Sequence, residues 1–409
     1  MSTLAINAGS SSIKFGLFND DTCDRLLTGE IDWASGDRQH AQLTVRPHSG
    51  ITVCSQVAVP DNATAASYAI QAAVGASNGA RGITAVGHRV VHGGTDFRAS
   101  VQIDGKVKAA IGRVSDLAPL HNPAALKAIE AAEDALPGKP GIAVFDTSFY
   151  ANLSPKAYLY AVPYGWHQNF GIRRFGFHGI SHAYCSVRAA ELMGRNLPEL
   201  RIITCHLGGG CSVTAVRNGT AIATTSGYSP LDGLMMGTRC GSIDAGIPLY
   251  FLRQQIFTPK ELDRALNNAS GLAGISGVSA DLAQIEVAAA QGNMRARLAF
   301  DMFADQVRSG IGALAATLGR VDAITFTDRI GEGSPALRAA VCEGLQIMGI
   351  ELDSRRNAAA HADGEIATAE SRARIFVIHS EEELMVAREA QRVTRRGNGC
   401  AAMHGGAAA

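Results

Sequence analysis

Short apolar runs that end in glycine and serine recur along the chain and predict strands leading into ligand-sized turns. In "LAINAGSSSIKFGLFND" residues 4–7 read as a strand, 8–12 as a Gly/Ser turn and 13–18 as the return strand. The same plan comes back in "RIITCHLGGGCSVTAVRNGT", with a strand over 201–207, a turn over 208–212 and a return strand over 213–216. Asn218-Gly219 then predicts a two-residue type I′ hairpin turn. Superposed, Gly9 falls on Gly209, Ser12 on Ser212 and Ile13 on Val213. The chain thus reads as two copies of one domain plan, each opening on a β-hairpin. Small residues in such a turn let backbone N–H groups and hydroxyls converge on an anion such as phosphate. A plain hairpin also uses glycine; two copies at corresponding places favour the phosphate reading.

Between and beyond the hairpins the pattern delivers charged groups to turns. "GHRVVHGG" is expected to place Arg89 at the start of an apolar strand that ends at His92-Gly93-Gly94. "IAVFDTSFY" predicts a buried strand over 142–145 with Asp146 at its carboxyl end, the rim where open α/β sheets bind ligands. "RRFGFHGISH" offers His178, and "SPLDGLMMGTRCGSID" offers Arg239 in a glycine-punctuated loop. Each alone reads more readily as a surface ion pair or a satisfied turn residue; together they favour a site.

"AITFTDRIGEGSPALRAAV" predicts a strand, a glycine turn and a helix opened by Pro335, whose missing N–H costs little there. Gly331, Gly333 and Ala336 fit a G-x-G-x-x-A dinucleotide pattern, with Glu351 at the spacing of a ribose-binding acid. No glycine fingerprint of that kind opens the chain, so the dehydrogenase reading rests on this stretch alone. In "FVIHSEEELMVAREAQRV", 376–378 read as a strand, and Ser380 with Glu383 as a capping box. Glu381 and Glu382 sit in the first helical turn, where the helix dipole already favours carboxylates without a metal.

The chain has 409 residues, which exceeds one ordinary core and predicts two domains. Its formal net charge is zero and no long basic run occurs, which argues against nucleic acid and anionic membrane as partners. The N-terminus lacks the basic and apolar regions of a secretion signal, and no stretch reaches membrane-spanning length. Eight scattered cysteines without metal spacing read as free thiols of a cytoplasmic protein.

"INAGSSSIK", "APLHNPAAL", "FGFHGISH", "LDGLMMGTRCGSID", "SGLAGISGVSADL" and "FTDRIGEGS" together resemble the acetate kinases, in family order and over nearly the whole length. The resemblance implies an α/β fold of two duplicated ribonuclease H-like, actin-like ATPase domains about a central cleft. Domain I is expected at 1–150 plus about 384–400 and domain II at 151–383, with 401–409 a flexible tail. It also implies a cytoplasmic homodimer that transfers phosphoryl directly from ATP to acetate, giving acetyl phosphate and ADP. Asn7 and Glu382 would organise Mg²⁺, with Mn²⁺ as a substitute. Arg89 and Arg239 would grip acetate and the phosphoryl group, His178 would stabilise the transition state, and Asp146 would be the catalytic acid. Val91, Leu120, Phe177 and Pro230 would take the acetate methyl. The nucleotide side would use Lys14, His206, Leu207, Gly208, Gly209, Gly210, Asp281, Leu282, Ala283, Arg329, Ile330, Gly331, Glu332 and Gly333.

Four positions depart from the family's usual pattern: Gly209 and Gly333 each replace an asparagine, Ala283 an arginine, and Arg329 a glycine. Arg329 either compensates for the arginine absent at 283 or fills the adenosine space and leaves room only for pyrophosphate. Propionate or butyrate as acceptor, and a non-catalytic actin- or Hsp70-like module, are the other readings.

Overall fold

The computed structural model describes residues 1–404 apart from Ser10, Ala34, Ser35 and Ala362, with the backbone alone for 397–404. The chain divides into two compact units, Met1–Ala151 with Glu381–Ala409, and Asn152–Ser380.

The first unit holds an eight-stranded sheet of β1 (Ser2–Ala8), β2 (Ser12–Asn19), β3 (Arg25–Asp32), β4 (Ala41–Pro47), β5 (Val53–Val57), β6 (Ile83–Val90), β7 (Val101–Gln102) and β8 (Gly141–Phe145). Its order is β5-β4-β3-β2-β1-β6-β8-β7. β1 and β2 form the antiparallel N-terminal hairpin, with Asn7 opposite Lys14. β6 joins β1 in parallel and β8 joins β6 in parallel.

The second unit holds β9 (Arg201–Leu207), β10 (Cys211–Arg217), β11 (Thr220–Thr224), β12 (Ala323–Thr327), β13 (Gly364–Glu365) and β14 (Arg374–Val377), in the order β11-β10-β9-β12-β14-β13. β9 and β10 pair antiparallel, while β12 is parallel to both β9 and β14. The runs β3-β2-β1-β6-β8 and β11-β10-β9-β12-β14 therefore share order and strand sense. The plan is duplicated. Asn218 and Gly219 turn β10 into β11 with φ of 55° and 73°, both in the left-handed region a type I′ turn requires.

Parallel strands are covered on both faces, which is why β8 and β12 read as unbroken apolar runs. In the first unit the alanine faces of helices Asn62–Ala76 and Asn122–Ala135 pack on β1, β2 and β3. The C-terminal helix Glu382–His404 lies on β6 so closely that a Cβ at Gly87 would be 2.7 Å from Val386. In the second unit the 25-residue helix Met294–Leu318 buries Phe303, Val307 and Ile311 in a core shared with β9, β10 and β12. Among the described residues no helix is long and apolar enough to cross a membrane, and none of the seven described cysteines is in a disulfide.

Three local expectations are corrected. Arg89 lies near the carboxyl end of its strand, because Ile83–Val90 supplies the residues that pair with β1. The supposed glycine turn 328–333 is a short helix, Asp328–Gly333, and neither Gly331 nor Gly333 has a positive φ. Ser380 does not cap the last helix: its hydroxyl donates to Ser181, and the Glu383 carboxylate accepts from Asn7. The backbone of that helix runs to His404, and residues 405–409 of the expected tail lie outside those described.

Candidate active site

In the first unit the ends of β1, β6 and β8 and the start of the C-terminal helix bring five polar side chains together. Asp146, at the end of β8, is fully buried. Arg89 donates to its Oδ2 through Nε at 3.2 Å and Nη2 at 2.7 Å. Nη1 of Arg89 donates to Asn7 Oδ1 at 3.0 Å and lies 3.6 Å from Glu382 Oε2. Asn7 Nδ2 donates to Glu382 at 2.9 Å and to Glu383 at 3.3 Å. Burial alone would lower the Arg89 pKa, but the charges of Asp146 and Glu382 outweigh it and hold it above its ordinary value. Glu383 is pushed up by burial first and by the Glu382 charge second, while Lys14 draws it back.

Two carboxylates and an amide are hard oxygen donors of the kind that hold a divalent ion through water and substrate phosphates. Asn7, Glu382 and Glu383 fit that chemistry. Among the described residues no three His, Cys, Asp or Glu side chains form a ready-made metal cage, so water and phosphate would supply the remaining ligands.

In the second unit His178 precedes the helix Gly179–Met193 with φ of 56°. Its Nδ1 lies 2.8 Å from Ser212 Oγ, which also meets His182 Nε2 at 2.7 Å. A hydroxyl donates only once, so one of the two rings donates to it. Burial holds the His182 pKa well below its ordinary value, so this ring is neutral. The His178 ring stacks on His206 with centroids 4.2 Å apart, and His206 is held by Ser181 at 2.9 Å and Asp328 at 3.3 Å. The turn 208–210 presses on this group: a Cβ at Gly210 would lie 2.6 Å from His178 Nε2 and 3.8 Å from Arg239 Nη1. A Cβ at Gly208 would strike the Asp328 carboxylate, whereas Gly209 faces open space. Arg239 donates only to the Pro230 carbonyl at 3.2 Å and the Met236 sulfur at 3.6 Å. Among the described residues no carboxylate pairs with it, and burial lowers its pKa. Among the described residues it is a desolvated cation with no carboxylate partner.

The 328–333 segment follows β12 beside that turn. Arg329 is 71% exposed and pairs with Asp281, which also accepts from Ala283 N at 3.0 Å as the cap of helix Leu282–Ala290. Leu282 and Ile330 are buried beneath. Glu332 accepts from Asp328 N at 3.0 Å and meets His379 at 2.9 Å. The buried Arg338 donates to the carbonyls of Gly331 and Glu332 and to Asn357, closing the segment from behind.

Lys14 stands exposed on β2, and Leu207 is buried. Of the methyl-pocket set, Val91 is buried and Leu120 is 47% exposed in the first unit; Phe177 is buried and Pro230 partly buried in the second. Reading the chain missed Asn122, Ser212, Glu383, Asp328 and Arg338 as site residues. The buried Asn122 clasps the backbone of His92, accepting from N at 3.1 Å and donating to O at 2.9 Å. Its place in "LHNPAAL" offers only the look of a helix cap. Ser212 carried a signal, its match to Ser12, and the others carried none.

Two units of one sheet plan, with cations and glycine turns at their strand ends, define a phosphotransferase-type protein of the two-domain actin-like ATPase fold. The chain belongs to the acetokinase family, whose model matches residues 2–388. It is 46% identical to the acetate kinase of Trichormus variabilis over 97% of this chain and 100% of that one. Among solved structures, the Porphyromonas gingivalis acetate kinase is 36% identical with a TM-score of 0.86, covering 96% of this chain and 99% of its own. A propionate kinase from Francisella tularensis subsp. tularensis is 34% identical with a TM-score of 0.87 and the same coverage.

Proposed function

We propose that this protein is an acetate kinase that transfers the γ-phosphoryl group of ATP to acetate, giving acetyl phosphate and ADP. The observation that carries this reading is Arg239, a partly buried guanidinium without a carboxylate partner among the described residues, set beside His178 and the Gly210 turn. Such a cation matches the charge on a phosphoryl group in transfer, whose equatorial oxygens carry the developing negative charge.

One acetate oxygen forms the new O–P bond as the bond from the γ-phosphorus to the β–γ bridging oxygen breaks, and that oxygen leaves on ADP. Acetate and phosphate repel each other, and cationic side chains cancel that repulsion. Arg89, preset by Asp146 and Asn7, orients the acceptor carboxylate. Arg239 and His178 receive the charge of the phosphoryl oxygens. The family's chemistry calls for a divalent metal with ATP; Mg²⁺ suits the Asn7, Glu382 and Glu383 oxygens, Mn²⁺ can replace it, and the ion offsets phosphate charge. Lys14, the 208–210 turn and the 328–333 segment serve the phosphate and nucleotide side.

ATP rather than pyrophosphate is supported by Arg329, whose exposed guanidinium is held at the surface by its ion pair with Asp281, a contact that a nucleotide can displace. Acetate rather than propionate is supported by a buried valine at 91, a branched side chain that suits a methyl group better than an ethyl group. One methylene in such a pocket separates kcat/KM for the two acids by about 10- to 200-fold. The test is acetyl phosphate formation, trapped as hydroxamate, from acetate or propionate with ATP, GTP or pyrophosphate, with and without EDTA. Metal-dependent product from ATP and acetate is expected. Absence of product with every donor overturns the reading.

A further inference from the structure

The loop that carries Arg239 runs from residue 225 to 245, between β11 and the helix Gly246–Arg253, without regular secondary structure. An irregular loop has high conformational entropy, so contacts with the rest of the fold must hold its guanidinium in place. The Arg239 side chain donates within its own loop, to Pro230 and Met236, while the backbone on either side of it is held to residues 266–273, with Cys240 N donating to Leu266 O and the N–H groups of Ser270 and Leu272 donating to the carbonyls of Thr238 and Met236. The first half of the same loop is fixed at Asp232, which faces Tyr160 and Arg174.

Asp232 Oδ2 accepts from the Tyr160 hydroxyl at 2.9 Å and lies 3.6 Å from Arg174 Nη1. Its Oδ1 accepts from Ser242 Oγ at 2.5 Å, and Ser242 is tied back to Gly233 through two further hydrogen bonds. The Tyr160 oxygen also accepts from Tyr228 N at 2.8 Å, and Arg174 donates to the carbonyls of Thr225 and Ser226 at 3.3 and 2.5 Å. The Arg174 guanidinium lies over the Tyr160 ring, 5.0 Å from its centroid. The next residue along, Phe175, donates its N–H to the Gly227 carbonyl at 2.9 Å. A Cβ at Gly227 would lie 2.0 Å from Asp232 Oδ2 and 2.5 Å from the Tyr160 hydroxyl, so the network closes with no space to spare. Burial raises the Tyr160 pKa to about 12, and the phenol stays protonated and donating at neutral pH.

Arg174 leads directly into Phe177 and His178. The network therefore ties the loop bearing Arg239 to the segment bearing His178, and both side chains face the same glycine, Gly210. We infer that Asp232 is a positioning residue: with Tyr160 and Arg174 it fixes the spacing between Arg239 and His178 before any substrate arrives. It touches no reacting atom. The inference rests on the phosphotransferase reading for its consequence in rate, but its structural half does not.

The test uses the full chain with Asp232→Asn, which keeps shape and removes charge, and with Tyr160→Phe. Three readouts are taken: kcat and KM separately, thermal unfolding, and backbone amide exchange over residues 226–242. A misplacement of about 1 Å can cost about 10²-fold in rate, so kcat is expected to fall by that order in Asp232→Asn while KM for ATP hardly moves. Amide exchange in the loop should quicken by about tenfold or more, the factor set by losing one charge-assisted hydrogen bond, with the remaining amides unchanged. The double variant should lose little beyond Asp232→Asn, because both side chains act through one network. Unchanged exchange in the loop of a folded variant overturns the inference, and so do losses in kcat that multiply in the double variant. Should Asp232→Asn fail to fold, Tyr160→Phe carries the same readouts with a milder change. A wild-type chain inactive with every donor refutes the kinase reading, whereas the exchange result still decides whether Asp232 holds the loop.

Discussion

Arg89 and Arg239 carry the same charge in opposite surroundings. Arg89 already sits between Asp146 and Glu382, whereas Arg239 is partly buried with only a carbonyl and a thioether for company. We propose that an incoming anion offsets the desolvation of Arg239 and that Asp146 keeps the plane of Arg89 fixed. The acceptor, with a pKa of about 4–5 like the side-chain acids, is already ionised at neutral pH and has no proton to give up. Asp146 is therefore proposed to orient Arg89 rather than to act as an acid or base. Asp146→Asn is expected to lower kcat by about 10²–10³ while the pH–rate profile keeps its shape; loss of a pH-dependent limb would count against the assignment. At Arg329, an exposed ion pair is worth little and a nucleotide can displace it readily. Arg329→Gly is expected to raise KM for ATP about fivefold, the worth of one exposed cation–π contact, and to leave pyrophosphate kinetics unchanged. Ala283→Arg in that background should restore ATP binding. Initial rates with both donors check this, and donor preference that stays constant in both variants sinks the pocket argument.

At the scale of elements, β6 shows how a strand serves core and site together. Arg89 points to the polar cluster while its neighbour His88 is 2% exposed and held neutral, burial lowering its pKa to about 3. Above the unfolded value of about 6.5 neither state carries the proton, so His88 has no pH effect there. As pH falls from 6.5 toward 3, the unfolded chain takes up a proton the folded state excludes, and each unit costs about 1.4 kcal/mol. Thermal melts between pH 6.5 and 5 should therefore show a falling Tm, with a shallower slope for His88→Leu; equal slopes would contradict the assignment. The element 328–333 carries the opposite lesson. Its glycines fit a dinucleotide turn, yet the segment is helical, because Arg338 and Asn357 take up its terminal carbonyls and the following Pro335. A glycine pattern constrains the backbone less than a buried guanidinium does.

At the scale of the molecule, the helix Gly246–Arg253 buries none of its residues. Ile247, Leu249, Tyr250 and Leu252, with Ile256 and Phe257 just beyond, are exposed. Single exposed apolar residues are ordinary, but a run of them along one segment marks a surface that another chain covers. We propose a homodimer that uses this face. Light scattering is expected to give twice the chain mass for the wild type and the single mass for Leu249→Asp with Tyr250→Ser. A wild-type mass of one chain overturns the proposal.

The sequence by itself determined the features that local backbone chemistry controls. These are the two glycine-turned hairpins, the positive-φ Asn218-Gly219 turn and the delivery of Asp146 from a buried strand. Their duplication was legible because each copy lies within about twenty residues of chain. What only the tertiary structure decided was partnership. Arg89 meets Asp146 across 57 positions, and Asn7 meets Glu382 across 375. Strand order sets those pairings, and nothing near either residue in sequence encodes them. The same holds for Asp232, which reads as an ordinary loop aspartate until Tyr160 and Arg174 are brought beside it. Backbone preference acts over a few residues, whereas burial selects side-chain partners from the whole chain.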